Sequence, residues 1–528
     1  MEIDITKLPD DVDALKRLVT NLYATHTGIL KTKDQRIDNL EFRVHQLDET
    51  LKKYLSRQFG RSADVAPQTN TLFNEAEKIA ADSPIPDDVG DDDVHVPGHV
   101  RRRGKRKPLP AEIEREVRNY DLSDAEKFCS DPECGCALKP MGFDSCEQLD
   151  IVPAKMKVIV HNRHKYACPS CQSCVKVAAM PAQPIKKSLA TPGTLAHVAV
   201  CKFEDALPLY RQEKIFERLG IDIPRATMAR WMIACGSLVK PLVERIRLEI
   251  RAGQVIHMDE TPIQVLKEKG RNPWDKSYMW VMARGSPRGG PRAVIYSYHI
   301  SRSQIVVEDL LRGYSGHVQS DEFSGYNLLD RSEHIIRLGC WAHVRRQFVD
   351  ALKTNPRGGS GTVANEVITK IKELYDVERN IKELSPDDVV AARRERSLPI
   401  LANLKSLEEE YSPQIPPKSS TGKALTYMRN AWSHLTTYLD CGHADIDNNY
   451  VERAIRPFTT GRKNWMFADT PAGAHASAAL YSLVETAKAN KIDPYQYLRL
   501  IFTELPKVSN DGNIDHLLPW NLMPGTIH

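Results

Sequence analysis

A long stretch poor in apolar side chains, from about Gly60 to Pro110, interrupts this chain of 528 residues. It carries an acidic run and then a basic run, and such a composition cannot bury enough apolar surface to form a core. We therefore predict a disordered charged linker at 61–110 between several folded parts. The basic run would either neutralise nucleic-acid phosphates without reading sequence or be held by the acidic run beside it. Its members are Arg101, Arg102, Arg103, Lys105, Arg106 and Lys107.

The composition excludes a membrane protein. Hydrophobic residues make up 41% of the chain, which is enough for a core. No apolar run approaches the ~18 residues of a membrane span. The first residues lack the basic and then apolar regions of a signal peptide, so we expect a cytoplasmic protein with no membrane partner. Because eleven cysteines are an odd count in such a chain, they are expected to be metal ligands or buried thiols rather than disulfides.

The segment 1–60 predicts one long helix. From Ile37 to Tyr54 its apolar residues recur at alternating steps of three and four, with charged residues between them. This pattern is the seam of a coiled coil, and it predicts a homo-oligomer that pairs through the helix. His26 and Lys33 fall on seam positions further upstream, which leaves open a single amphipathic helix packed on its own protein.

Seven of the eleven cysteines lie within 111–185, and four of them form two close pairs. Four thiolates that share one Zn²⁺ need this clustering, and the β-rich sequence between the pairs favours a zinc-ribbon-like module with a structural zinc ion. The ligands in this interpretation are Cys129, Cys134, Cys168 and Cys171. Reduced core cysteines are the alternative. The competing ligands are Cys136, Cys146, Cys174, His161 and His164.

Residues 186–250 predict a helical domain in which two helical patterns are broken at Gly220. In the second pattern, Met228, Met232 and Cys235 step by four and three and would face inward. This is the pattern of a helix-turn-helix, whose second helix presents its first residues to a DNA major groove. Such helix pairs also occur in proteins that never touch DNA. The residues left to face outward are Arg225, Thr227 and Arg230.

The pattern changes at residue 254, where three β-rich runs are followed by alternating helix and strand. We predict a mixed α/β sheet at 251–343 and 445–490, with helices packed on it. Asp259 would lie in the middle of an apolar strand, where a carboxylate is costly unless it is paired or binds metal. Asp321 would end the fourth strand. Two such acids side by side suit Mg²⁺ and two-metal phosphoryl transfer, although 69 acidic residues supply many pairs by chance.

A third acid, Glu452, lies in a short predicted helix that begins near Asp447 or Asn448 and ends at Pro457. A turn at 461–465 then combines basic residues with an aromatic ring that could stack on a base or fill the core. The candidate DNA contacts of this segment are Arg456, Arg462, Lys463 and Trp465. The side chains that could approach the same site from a neighbouring helix are His343, Arg345 and Arg346.

Four blocks, HMDETPIQV, SDEFSGYN, CWAHVRRQF and NNYVERAIRPFTTGRKNWMF, resemble the signature blocks of the transposases of insertion sequence family 66. The resemblance extends over nearly the whole chain. It implies a ribonuclease H-like catalytic core with an Asp-Asp-Glu triad, and by motif position the triad is Asp259, Asp321 and Glu452. The spacing Cys129-x4-Cys134 departs from the family pattern, which leaves Cys134 and Cys136 as an alternative first pair.

The resemblance implies a transposase that binds the ends of an insertion sequence and catalyses metal-dependent strand cleavage and strand transfer. Two Mg²⁺ or Mn²⁺ ions would be held by the triad, and double-stranded DNA of the element ends and the target would be the partner. Accessory proteins of the same element and a place near the bacterial nucleoid are further expectations. The alternatives are a metal-dependent ribonuclease H-like nuclease without strand transfer and a non-catalytic zinc-containing DNA-binding regulator.

The remaining segments complete the prediction of a multidomain α+β protein. Residues 344–444 are helix-rich and too long for a simple connection, so the resemblance makes them a helical insertion in the catalytic fold. This insertion would shape the DNA channel or serve as an insulating bundle. Residues 491–528 form a separate C-terminal segment that matches the family's closing block.

Overall fold

The computed structural model describes residues 11–58, 95–96, 99–100, 156–167, 175–285, 290–354, 362–509 and 512–522. The chain separates into two compact units, one at Ser62–Asn162 and the other formed by the rest. In the first unit, strand β1 (His95–Val96) pairs antiparallel with β2 (His99–Val100), within the segment predicted as a linker. The predicted site residues that lie outside the described residues are the basic run at 101–107, Cys129, Cys134, Cys168 and Cys171.

The N-terminal helix, α1, spans Val12–Gln58 and confirms that this segment is one long helix. Its first turn is capped by Asp11, whose side chain accepts the backbone N–H of Ala14 at 3.2 Å. The seam residues Ile37 and Leu40 are each 52% exposed in the single chain. Pairing with a second copy stays a prediction. Neither α1 nor any other helix that the structure describes is long and apolar enough to span a bilayer.

A short hairpin and four helices follow. The hairpin strands are β3 (Lys165–Ala167) and β4 (Val175–Val177), and the helices are α2 (Pro192–Phe203), α3 (Leu209–Arg218), α4 (Arg225–Leu238) and α5 (Lys240–Arg251). Gly220, with a φ of +80°, lies in the turn between α3 and α4, where a side chain would be strained. The predicted inward face of α4 is confirmed, since Met228 and Cys235 are both fully buried.

A five-stranded mixed sheet forms the centre of the larger unit. Its strands are β5 (Val255–Gln264), β6 (Lys276–Arg284), β7 (Ala293–His299), β8 (Gly316–Gln319) and β9 (Ile335–Leu338), and helix α6 (Gln304–Leu310) links β7 to β8. The order is β7-β6-β5-β8-β9. The pairs among β5, β6 and β7 are antiparallel, whereas β8 and β9 run parallel to β5. β5 is therefore the central strand, and its first four residues, Val255–Met258, are all buried.

A helical body separates β9 from the end of the chain. Its helices are α7 (Trp341–Thr354), α8 (Val363–Asn380), α9 (Pro386–Ala392), α10 (Leu398–Tyr411) and α11 (Ser420–Thr436). Four of these helices, α7, α8, α10 and α11, build an apolar core to which Leu338 of β9 also contributes, whereas the buried residues of α9 pack in a small separate cluster with Ile381. The guanidinium of Arg393 is fully buried. It pairs with Glu378 of α8 and donates to the carbonyl of Ala444 at 2.8 Å, so it joins the helical body to the segment that follows α11.

The last three helices, α12 (Asn449–Trp465), α13 (Pro471–Ala489) and α14 (Pro494–Glu504), pack with the sheet. Helix α13 covers the edge strand β7, where the hydroxyls of Ser482 and Thr486 accept the backbone N–H groups of Tyr296 and Val294 at 2.8 and 3.1 Å. The helix thereby satisfies donors that an edge strand leaves unpaired. The same core continues into α4, where a side chain at Gly236 would collide with α13.

The prediction that Pro457 ends the helix carrying Glu452 is wrong, because α12 continues as far as Trp465. A proline inside a helix removes one backbone hydrogen bond and crowds the preceding turn. Here the apolar face of the helix, with Phe458 fully buried, is packed against the core and offsets that loss. The basic turn expected at 461–465 is accordingly the last turn of the helix.

Candidate active site

Two of the three predicted acids lie at matching positions on adjacent parallel strands. In the register of β5 and β8, His257 is paired with Gln319. Asp259 and Asp321 each follow that pair by two residues. Asp321 lies just beyond the end of β8, where its carboxylate accepts the backbone N–H of Phe323 at 3.0 Å and closes a turn. The strand pairing therefore brings the two carboxylates to the same edge of the sheet centre.

The surroundings of Asp259 disfavour the charged form of its carboxyl group. Burial first, and then the negative charges of Glu260, Asp321 and Glu452, raise the pKa of Asp259 to about 8. The backbone N–H of Glu260, which donates to Asp259 Oδ1 at 2.8 Å, acts in the opposite sense. A carboxylate held among other acids favours the binding of a cation, because a cation relieves their repulsion.

Glu452 lies in the first turn of α12 and is held by side chains of α7. Its Oε2 atom accepts a hydrogen bond from Arg346 at 2.9 Å, and its Oε1 atom lies 3.6 Å from Nε2 of His343. His343, Arg345 and Arg346 are the side chains expected from the sequence to approach the site. His343 and Arg346 do contact Glu452, while Arg345 is exposed beside them on the same helix.

The negative charges of Asp321 and Glu452 both act on Asp259, but the carboxylate oxygens of the three acids do not all lie within 4.8 Å of one another. Within the described ranges, the three side chains whose metal-binding atoms all lie within 4.8 Å of one another are Cys340, His343 and Glu452. Asp259 and Asp321 lie outside that set. The donor set of the three acids is nevertheless made of hard carboxylate oxygens, which suit Mg²⁺ or Mn²⁺. Oε1 of Glu452 is also buried and makes no hydrogen bond within the described structure.

Asn448 joins the strand of one acid to the helix of another. Its side-chain amide donates to the carbonyl of Met258 at 2.8 Å, and its Oδ1 atom lies 3.1 Å from Nδ1 of the buried His257. The side chain is therefore used in tertiary contacts. The side-chain hydrogen bond at the start of α12 comes from Asp447 rather than Asn448, since Oδ1 of Asp447 accepts the backbone N–H of Asn449 at 2.9 Å. From the sequence alone, Asn448 is predicted only as a possible helix cap.

Glu260, the neighbour of Asp259 in β5, is a buried acid paired with a partly exposed arginine, and no local sequence pattern indicates this pair. Its side chain is 1% exposed and contacts the guanidinium of Arg302. The hydroxyl of Tyr326 donates to Glu260 at 2.8 Å. The guanidinium of Arg302 also lies 3.5 Å from the centre of the Phe323 ring, so the pair supports the loop that follows Asp321.

The helical body reaches the loop of Asp321 through His434 of α11. The two ring nitrogens of His434 lie 3.1 Å from a carboxylate oxygen of Glu322 and 3.1 Å from one of Asp330. The buried guanidinium of Arg337 contacts the same two carboxylates and donates to the backbone carbonyl of Asp321 at 2.9 Å. This network connects α11 to the backbone of a predicted catalytic acid. No short-range pattern in the sequence indicates it.

The predicted DNA contacts on α12 differ in availability. Arg456 and Lys463 are exposed. Arg462 is half-buried and donates to Thr261 of β5 at 3.1 Å, so its guanidinium supports the strand that carries Asp259. Trp465 packs edge-on against the buried Phe458 with ring centres 5.5 Å apart. This geometry favours the core-filling role that the sequence analysis left open for Trp465.

The outward face of α4 has the accessibility that a recognition helix needs. Arg225 and Arg230 are exposed and Thr227 is half-buried. The backbone N–H of Arg225 donates to the carboxylate of Glu213 on α3 at 2.8 Å, which fixes the start of α4 relative to the preceding helix. The guanidinium of Arg230 donates to the carbonyl of Ala226 at 3.3 Å on the same helix and remains exposed to solvent.

Comparison with protein families gives four matches along the chain. The transposase IS66 family matches residues 187–476, and the zinc-finger binding domain of transposase IS66 matches 127–172. The IS66 C-terminal element matches 482–520. A family described as transposase C of IS166 homeodomain matches 46–118. No solved structure matches the chain.

Three proteins of Sinorhizobium fredii are similar to the chain. Uncharacterized protein y4qI is 32% identical over 556 residues, which cover 100% of both chains. Uncharacterized protein y4jD is 34% identical and covers 74% of this chain and 77% of its own. Uncharacterized protein y4hP is 27% identical and covers 91% of this chain and 88% of its own.

Proposed function

The chain belongs to the transposase IS66 family, and from this we propose that it cleaves DNA strands at the ends of an insertion sequence and joins them to target DNA. The observation that carries the proposal is the electrostatic coupling of three carboxylates beside the central strand. Asp259 and Asp321 occupy matching positions along adjacent parallel strands, and the negative charges of Asp321 and Glu452 both raise the pKa of Asp259.

The strand order supports a ribonuclease H-like core. Three antiparallel strands followed by two parallel ones, with the first strand central, is the arrangement of that fold. The first predicted acid then lies on the central strand and the second after its parallel neighbour. The third comes from a helix packed on the same sheet.

The three carboxylates would hold two Mg²⁺ or Mn²⁺ ions, which in such centres activate the attacking oxygen and stabilise the leaving oxygen of an in-line displacement. Asp259 and Asp321 would supply oxygens from the sheet, and Glu452 would close the site from α12. Arg346 holds one oxygen of Glu452 and leaves the other for a ligand. Hydrolysis at the element end and attack by the freed 3′-hydroxyl are the same displacement with different nucleophiles, so one centre serves both.

Basic side chains beside the acids would hold the DNA backbone. Arg456 and Lys463 follow Glu452 on α12 by four and eleven residues, so both project from the same side of the helix as this acid. Their exposed charges can contact phosphates on either side of a scissile bond. Arg462 would act indirectly, through its contact with β5.

Recognition of the element ends would come from the N-terminal half of the chain. The zinc-finger match supports a structural Zn²⁺, for which Cys129, Cys134, Cys168 and Cys171 are the proposed ligands. The start of α4 would read a groove with Arg225 and Arg230. The basic run 101–107 would add contacts that do not depend on sequence. Two ends must be cut together, so we also propose a homo-oligomer through α1, with accessory proteins of the element as further partners.

A cleavage and joining assay tests the proposal. The full-length chain is incubated with Mg²⁺, labelled DNA of the element end and a target plasmid. We expect nicks at the element end and joined products with the wild type. If the protein cleaves intact element ends but forms no joined products when it is given pre-cut ends, the result would instead favour a ribonuclease H-like nuclease without strand transfer. Specific binding without cleavage would favour a DNA-binding regulator.

A further inference from the structure

A thiol, an imidazole and a carboxylate meet between the starts of two helices. Cys340 immediately precedes α7, His343 lies in its first turn, and Glu452 lies in the first turn of α12. Their metal-binding atoms all lie within 4.8 Å of one another. The three residues come from two segments more than one hundred positions apart in the chain, so the fold and not a local turn brings them together.

Two polar atoms of this cluster are buried and have no hydrogen-bond partner within the described structure. They are Nδ1 of His343 and Oε1 of Glu452. The distance of 3.6 Å from Nε2 of His343 to Oε1 of Glu452 is too long for a hydrogen bond. Because buried polar atoms in proteins are nearly always paired, Oε1 of Glu452 requires another partner, and Nε2 is the ring nitrogen of His343 that faces it.

The sulfur atom is held in a position suited to a bound cation. Cys340 is 3% exposed, and its Sγ accepts the backbone N–H of Asn448 at 3.2 Å. Burial raises the pKa of the Cys340 thiol to about 12, and the backbone N–H of His343, which also points at this sulfur, acts in the opposite sense. Such N–H donors stabilise negative charge, as a metal-bound thiolate needs.

The donor set discriminates between metals. Thiolate and imidazole ligands select Zn²⁺ and related transition metals, whereas Mg²⁺ prefers oxygen ligands alone. Tetrahedral zinc, with bonds of about 2.0–2.3 Å, places its ligand atoms about 3.5 Å apart. The His343–Glu452 distance already matches this separation. We propose that Cys340, His343 and Glu452 form a Zn²⁺ site that is distinct from the zinc-finger domain and shares Glu452 with the proposed magnesium centre.

A cobalt titration of the full-length chain tests this site. Metal is removed with a chelator and Co²⁺ is added as the probe, because a cobalt–thiolate bond gives a charge-transfer absorption. The variants Cys340→Ser and His343→Asn are compared with the wild type and with Cys235→Ser. Cys235 is a matched control, since it is a free and fully buried cysteine on α4 that belongs to no metal-binding cluster in the described residues.

We expect the wild type and Cys235→Ser to bind one more equivalent of Co²⁺ than either ligand variant. The zinc-finger contribution is common to all four proteins and cancels in the comparison. His343→Asn keeps the test informative if Cys340→Ser fails to fold, because the side chain of His343 is 19% exposed. Equal binding by the wild type and both ligand variants would overturn the proposal. So would an equal loss in Cys235→Ser.

The site also predicts an effect on the proposed reaction, because it shares Glu452 with the proposed magnesium centre. Zn²⁺ bound to Cys340 and His343 would withdraw Oε1 of Glu452 from the acid pair. We expect excess Zn²⁺ to inhibit Mg²⁺-supported cleavage by the wild type at least tenfold more than by Cys340→Ser. This second assay rests on the proposed function, whereas the cobalt titration does not, so the two can fail separately.

Discussion

The side-chain amide of Asn448 donates a hydrogen bond to the backbone carbonyl of Met258 at 2.8 Å, although 190 residues separate them. Met258 directly precedes Asp259 on β5, and Asn448 directly precedes the helix of Glu452. The bond therefore sets the distance between the elements that carry two of the proposed catalytic acids.

Substitution Asn448→Ala is expected to destabilise the protein by about 2 kcal/mol, because it leaves the buried carbonyl of Met258 and the ring of His257 without a partner. The midpoint of urea unfolding measures the change. Asn464→Ala is the control, since Asn464 makes an exposed hydrogen bond to the carbonyl of Ala206. An equal effect of the two substitutions would show that Asn448 has no special part in the site.

Substitution Arg302→Ala is expected to cost about 3 kcal/mol, because it leaves Glu260 buried without its cation. The exposed pair of Arg312 and Asp309 gives the control: Arg312→Ala should change stability by less than about 1 kcal/mol. Glu260→Gln in the Arg302→Ala background should recover part of the loss. If Arg302→Ala unfolds at the same urea concentration as Arg312→Ala, the buried pair does not stabilise the fold.

Substitution His434→Ala tests whether the helical body positions Asp321. The variant removes contacts with Glu322 and Asp330 but no group proposed to bind metal or DNA. We expect a several-fold lower cleavage rate and a higher Mg²⁺ requirement, with little change in DNA affinity. His516→Ala, at an exposed histidine near the C-terminus, is the control. An unchanged Mg²⁺ requirement in His434→Ala would indicate that the helical body is an insulating bundle.

The raised pKa of Asp259 predicts how stability depends on pH in the metal-free protein. The folded state keeps a proton up to about pH 8, whereas the unfolded chain releases it near the ordinary pKa of 3.8. The unfolded state therefore binds fewer protons between these values, and this group makes the protein less stable as pH rises from about 4 to about 8. Asp259→Asn should remove this contribution, which urea unfolding at about pH 6 and pH 8 with a chelator can measure. A pH dependence equal to that of the wild type would contradict the raised pKa.

Local sequence patterns predicted the strands around Asp259 and the helices of residues 190–250 well, because alternation and apolar runs report directly on burial. They failed at Pro457, where packing of the apolar face of α12 outweighed the local preference of proline. They also could not identify Asn448, Glu260 and His434 as site residues. Each of these residues contacts a partner far away in the sequence, and Glu260 matters because its side chain is buried. Local sequence spacing therefore cannot predict these contacts. The family resemblance predicted the three acids, but it did not indicate the contacts that hold them.

Strand transfer by acid variants of the full-length chain tests the central claim most directly. Asp259→Asn, Asp321→Asn and Glu452→Gln are compared with Asp469→Asn, an exposed acid paired with Lys267 on the surface. Pre-cut element ends, a target plasmid and Mg²⁺ are the substrates. We predict that each triad variant forms at least about a hundredfold less joined product than the wild type, and that Asp469→Asn keeps wild-type levels. Joined product at the wild-type level from any one of the three triad variants would contradict the account.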